Sequence, residues 1–157
     1  MQILSSLSFL AVAMKFGQVG TLKKCALTVI GVHFFIAVFH GIAHQELPVD
    51  LSAVQLAFVI VVIMISPIVS GGLIIKSARA GSLLLLLSML AALIFGLYFH
   101  FVADSPDNIS HMTEMPSSLW PGTFKLTAYV LALIETLGAF VGGLLYFGRQ
   151  SARRRRT

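Results

Sequence analysis

The chain has 157 residues, 57% hydrophobic and only 11% charged, with a mean hydropathy of +0.93 and a formal net charge of +5. Soluble domains carry about a quarter charged residues, so this composition excludes a water-facing surface over most of the chain and makes lipid its solvent. The positive surplus comes largely from Arg153 to Arg156, which beside apolar spans marks a cytoplasmic side and an anionic-lipid anchor rather than a nucleic-acid site. The single cysteine, Cys25, excludes an intrachain disulfide and a cysteine metal cluster.

Residues 1–22 begin with an apolar patch, Ile3 to Met14, too short for a bilayer core that needs about 20 residues. Ala11-Val12-Ala13 has the small-residue pattern of a signal cleavage site, but no basic residue precedes the patch. Cleavage there would also put the arginine tail outside, against the charge pattern. The segment therefore reads as a short interfacial helix on the cytoplasmic face, with Lys15, Lys23 and Lys24 at the headgroups.

Four spans follow, at residues 25–44, 51–75, 82–103 and 124–147, within a transmembrane unit of residues 23–148. A basic tail, 149–157, closes the chain. Pro67 and Gly71-Gly72 are expected to bend or loosen the second span. The short turn with Lys76 and Arg79 joins the second span to the third. With it, Lys23, Lys24, Arg149 and the arginine tail share one side of the membrane. Glu46, Asp50, Asp104, Asp107 and Glu114 share the other, with Lys125 the one basic residue near an outer end. This distribution predicts cytoplasmic termini, as in a bacterial inner membrane protein with N-in/C-in topology. Short connections join antiparallel neighbours, so the expected fold is all-α: a four-transmembrane-helix up-down bundle with the first and third helices on a diagonal. The long outer connection, residues 104–122, carries Pro106, Pro116 and Pro121, which argue against continuous helix there, and Trp120, which suits the interface. Asn108-Ile109-Ser110 matches a glycosylation triplet, a pattern common by chance.

The chemistry gathers on the first span. At about 100° per residue, His33, His40 and His44 fall within roughly a 40° arc, so one face carries three imidazoles that must look into protein rather than lipid. His40 and His44 stand at i,i+4 near its outer end. His100 and Asp104 repeat that spacing at the outer end of the third span. His40, His44, His100 and Asp104 are thus a candidate transition-metal site at the outer mouth, with zinc or copper favoured by imidazole and iron or manganese admissible. Glu46, Asp107 and His111 stand by as supporting groups, and Met112 and Met115 as soft ligands if the loop folds back. The bland alternative is that terminal histidines only bond neighbouring carbonyls and the methionines only pack. A haem alternative takes His40 and His100 as its two axial ligands, with Gly41 and Gly96 leaving room beside the ring.

Deeper, Glu135 falls mid-way along the fourth span and needs a partner. His33 is at comparable depth and is its expected mate; Ser66, Ser70, Ser88 or a backbone carbonyl are the alternatives. Gly138 and Gly142 form a small-xxx-small pair on the glutamate's face. That face is expected to pack closely, against another helix, a membrane-protein partner or a second copy. No GxGxxG, P-loop, HExxH or nucleophile elbow is present. The sequence therefore leans away from an enzyme, towards an accessory or assembly subunit of a membrane complex with a metal site. A bis-histidine electron-transfer protein and a membrane-embedded metalloenzyme are the competing readings.

Overall fold

The computed structural model describes residues 16–113 and 119–154, and every regular element among them is helical. We number the long helices α1 (Phe16–Glu46), α2 (Ala53–Lys76), α3 (Ala78–Val102) and α4 (Leu119–Arg154). Among the described residues between α3 and α4 lies a 3-10 turn, His111–Thr113. Four segments, Val19–Glu46, Ala53–Lys76, Ala78–Val102 and Leu119–Gly148, are long and apolar enough to cross a membrane, which marks the chain as an integral membrane protein. The exposed surface fits that solvent, with Phe35, Ile75, Leu133 and Phe140 all turned outwards.

Two helices are longer than the sequence implies. The expected interfacial segment falls partly on residues 1–15, which lie outside the described residues. From Phe16 onwards the chain is already α1, in register with the span. No proline interrupts Phe16 to Cys25, and Lys23 and Lys24 are good helix formers. The helix α4 starts at Leu119 rather than 124. Pro121 sits in its first turn, where a missing N–H breaks no intrahelical bond, so the proline starts the helix instead of preventing it. Ser52 caps α2: its hydroxyl accepts from the Gln55 amide and the Gln55 side chain accepts from the Ser52 amide.

The loosening of α2 expected from Pro67 is present as a π-helical turn, Val59–Ile65, immediately before the proline. A proline at this point cannot donate to the preceding turn and its ring crowds it. The widened turn accommodates both, and the Ser66 hydroxyl donates to the Val61 carbonyl at 2.7 Å. A second π turn, Tyr98–Val102, ends α3 and carries His100.

Helix α4 packs along both α3 and α1, α2 packs along α3, and α1 meets α2 chiefly through Ser66–Lys76. The α3–α4 contact is close because of glycine. A Cβ on Gly142 would stand 2.8 Å from the Leu86 amide nitrogen, and one on Gly138 would strike the Met89 side chain at 2.8 Å. Ala26, Ile30, Ile74, Leu85, Met89 and Leu145 make one buried core. A second cluster of Ala43, Leu47, Val49, Met112 and Phe124, with Trp120 and Ile109 against it, closes the end where the histidines lie. At the opposite end the Arg79 guanidinium stands 6.0 Å from the Tyr146 ring centre.

Candidate metal centre

Three of the four expected ligands converge. His40, His44 and His100 each offer a ring nitrogen, and those atoms all lie within 4.8 Å of one another. The single helical face of α1 delivers His40 and His44, whose rings meet edge to face at 4.9 Å. His100 reaches them from α3, its ring centre also 4.9 Å from that of His40. Phe124 of α4 lies against all three rings at 4.6 to 5.3 Å, giving the cluster an apolar wall.

The neighbours fix which nitrogens are free. His40 Nδ1 is 2.8 Å from Thr127 Oγ1. The Thr127 hydroxyl hydrogen is directed at the carbonyls of its own helix, Thr123 at 2.7 Å and Phe124 at 3.0 Å. Thr127 therefore accepts and His40 Nδ1 donates, leaving a lone pair on His40 Nε2, which is buried without a hydrogen-bond partner. His100 Nδ1 donates to the Asp107 carbonyl at 3.1 Å, so its lone pair is on Nε2. His44 Nε2 faces the Asp107 carboxylate at 3.3 Å, while His44 Nδ1 is buried and unpartnered. His40 and His100 thus each have Nδ1 bonded to a neighbour and no protein hydrogen bond at Nε2, the arrangement in which outer partners orient metal-binding histidines, while His44 stands between the Asp107 carboxylate and the Val49 backbone.

Asp104 does not join them. Its side chain is 96% exposed and contacts His111 at 3.3 Å on the surface. The acid at the cluster is Asp107, 4% exposed, with Oδ1 3.3 Å from both His44 Nε2 and His100 Nδ1 and neither oxygen hydrogen-bonded. The i,i+4 argument for Asp104 assumes regular helix through Ala103, whereas the helix has widened and ended there. The chain then folds back: the Ile109 amide donates to the His100 carbonyl at 3.0 Å and the Asn108 side chain to the Ala103 carbonyl at 2.8 Å. Ser105-Pro106-Asp107-Asn108 is the reversing turn, closed by the Asn108 amide on the Ser105 carbonyl at 2.9 Å. Proline at its second position is a sequence signal for that turn. Thr127 carries no comparable signal.

The other candidates sort as follows. His33 Nε2 lies 3.4 Å from Glu135 Oε1, both residues buried, whereas Ser66, Ser70 and Ser88 donate to carbonyls of their own helices. Gly138 and Gly142 face α3 within the chain, so that face of α4 is already covered. Met112 is packed in the apolar cluster over the site, and Met115 lies outside the described residues. His40 and His100 are in direct ring contact, so a porphyrin does not fit between them as they stand. Gly96, offered as a gap beside a haem, instead makes room between His100 and Glu135: a Cβ there would be 3.8 Å from the His100 ring and 3.9 Å from Glu135 Oε2. A cavity of about 600 Å3 adjoins the cluster, walled by α1, α2, α3 and α4.

These features define a membrane-spanning helical protein with a three-histidine cluster, two of its rings buried and one partly so, beside one carboxylate and one hydroxyl. Comparison with protein-family models, with curated proteins and with solved structures finds no match.

Proposed function

We propose that this chain is a metal-binding integral membrane protein that holds a divalent first-row transition ion, zinc or copper favoured, on His40, His44 and His100. The observation that carries this reading is the set of unused nitrogens, His40 Nε2 and His44 Nδ1 buried without partners and His100 Nε2 freed by the bond at Nδ1. Three nearby imidazoles burying lone pairs against one another gain nothing without a shared cation. With an ion they are the nitrogen donors that zinc and copper prefer. Asp107 then acts as the outer carboxylate that orients two of the ligands and offsets the ion's charge, and Thr127 orients the third. Three protein ligands leave a fourth position for water or another molecule.

In this reading the helices form an up-down bundle with both termini cytoplasmic in a bacterial inner membrane and the histidine end outside. Lys23, Lys24, Lys76 and Arg79 gather at the opposite end from Glu46, Asp50, Asp104 and Asp107, which supports that orientation. Reporter fusions at the two ends and in the connection after Asp104 test it: an externally active C-terminal fusion contradicts it. An accessory or assembly role would use a lipid-facing surface, because α3 occupies the glycine face of α4. A membrane-embedded metalloenzyme is the second reading, favoured by the cavity beside the cluster.

Metal analysis of purified protein after loading with zinc or copper is the direct test. About one equivalent retained by the parent and lost in a His40→Ala, His44→Ala variant supports the site. Equal retention by both overturns it.

A further inference from the structure

The cavity beside the histidines has the chemistry of a ligand site. Its volume, about 600 Å3, lies in the range of small-molecule pockets. Most of its wall is apolar, including Val59, Ile63, Phe95 and Leu131, while its polar groups include the clustered His40, His44, His100 and Asp107, with Glu135 deeper and Gln45 and Asp50 nearer the mouth. A largely apolar pocket with one cluster of polar groups fits a molecule with an apolar body and a polar head.

The route of entry follows from how α2 is held. Phe58 of α2 stacks on Phe95 of α3 with ring centres 4.7 Å apart, and α1 packs chiefly against the other half of α2, Ser66–Lys76. Near the histidines, then, α2 follows α3 and leaves α1. The residues that line the cavity along this seam, Gly41, Ile42, Leu56 and Ile60, are themselves exposed. No side chain stands where a Cβ on Gly41 would project. In a bilayer this seam faces hydrocarbon, so the pocket opens sideways to lipid-dissolved molecules.

The head group is constrained by charge. The lining holds three carboxyl groups, Asp50, Asp107 and Glu135, and no lysine or arginine. An anionic head would have only the bound ion as counter-charge, and Asp107 already stands against it. An uncharged oxygen meets no such conflict: it can ligate the ion at its fourth position or bond an acid as an alcohol.

We infer that the cavity takes an uncharged, oxygen-headed amphiphile that enters from the bilayer between α1 and α2 and sets its head beside the three histidines. The inference rests on the metal reading for the partner of that head, and it gives the site a lipid-soluble ligand.

The test is photo-cross-linking of zinc-loaded protein in lipid nanodiscs with a diazirine-bearing long-chain alcohol, the matching carboxylate, and peptide mapping. The alcohol is expected to label peptides containing Ile60, Ile63 and Phe95, with that label lost in Gly41→Phe, whose ring fills the seam. The carboxylate is expected to leave those peptides at background. Label spread evenly over lipid-facing residues, cavity label undiminished by Gly41→Phe, or equal labelling by the carboxylate overturns the inference. Zinc content of the same samples separates the two readings. Protein that binds no zinc overturns the metal centre, and Gly41-dependent alcohol labelling in it still supports an amphiphile pocket. Zinc-replete protein without cavity label overturns the pocket alone.

Discussion

Replacing Asp107 by asparagine separates a carboxylate that serves a metal from one that serves the fold. In the folded chain its two oxygens are buried and lack hydrogen bonds, and Oδ1 lies 3.3 Å from two imidazole nitrogens. An ionised group in that setting is costly without a cation, and an unsatisfied buried polar group costs about 1–3 kcal/mol or more when charged. Asp107→Asn keeps the shape and removes the charge, so the metal-free variant is expected to be at least as stable as the parent. With metal the sign reverses. Loss of an outer carboxylate typically weakens metal binding by about 10–100-fold, or roughly 1.4–2.7 kcal/mol. At a free zinc concentration about 100 times the parent's Kd, zinc stabilises the parent by about 2.7 kcal/mol; the variant should gain only about 0.4–1.4 kcal/mol. Competition against a chromophoric chelator measures the affinities, and thermal unfolding with zinc and with chelator measures both stabilities. Unchanged zinc affinity together with a destabilised metal-free variant would refute the reasoning and make Asp107 a structural partner of His44 and His100.

Three further outcomes follow from other contacts. His100→Ala should abolish stoichiometric zinc retention, while Asp104→Ala and His111→Ala, which remove an exposed pair, should leave the chelator titration unchanged. Gly142→Ala places a Cβ against the Leu86 backbone and should destabilise the chain by about 1–3 kcal/mol in denaturant unfolding, unlike Gly41→Ala, whose Cβ meets open space. His33→Leu and Glu135→Leu should each destabilise by about 1–3 kcal/mol by leaving a buried polar partner alone. The double variant should lose less than the sum, and strict additivity would mean that the 3.4 Å contact carries no coupling.

Where chemistry follows helical period, the sequence reveals it. His33, His40 and His44 share a stripe because α1 is uninterrupted across them, and the depth of His100 is set by the length of α3. The same arithmetic selects Asp104 where Asp107 is the neighbour, because a π turn and a fold-back replace helix at that point. The turn-forming Ser105-Pro106-Asp107-Asn108 is readable, but its direction depends on the Asn108 and Ile109 bonds, which join groups no local pattern relates. Depth makes His33 one candidate partner of Glu135 beside Ser66, Ser70, Ser88 and backbone carbonyls, and only the packing of α1 on α4 brings the two within 3.4 Å. The cavity is not encoded in any short stretch. It results from the divergence of α1 and α2, set by Phe58 on Phe95 and by packing elsewhere along α2.

The position of α4 bears on when the histidine cluster can exist. The helix of His40 packs chiefly on α4 and that of His100 on both α4 and α2, and Phe124, Thr127 and Glu135, which wall or bond the histidines, are all in α4. During synthesis α1 and α3 therefore enter the bilayer before the surface that brings their imidazoles together has been made. A nascent chain has the ligands without the centre, and a chain released before α4 is complete has no means of holding an ion on three histidines. An ion held on the three histidines would in this way have to arrive after α4 has been made.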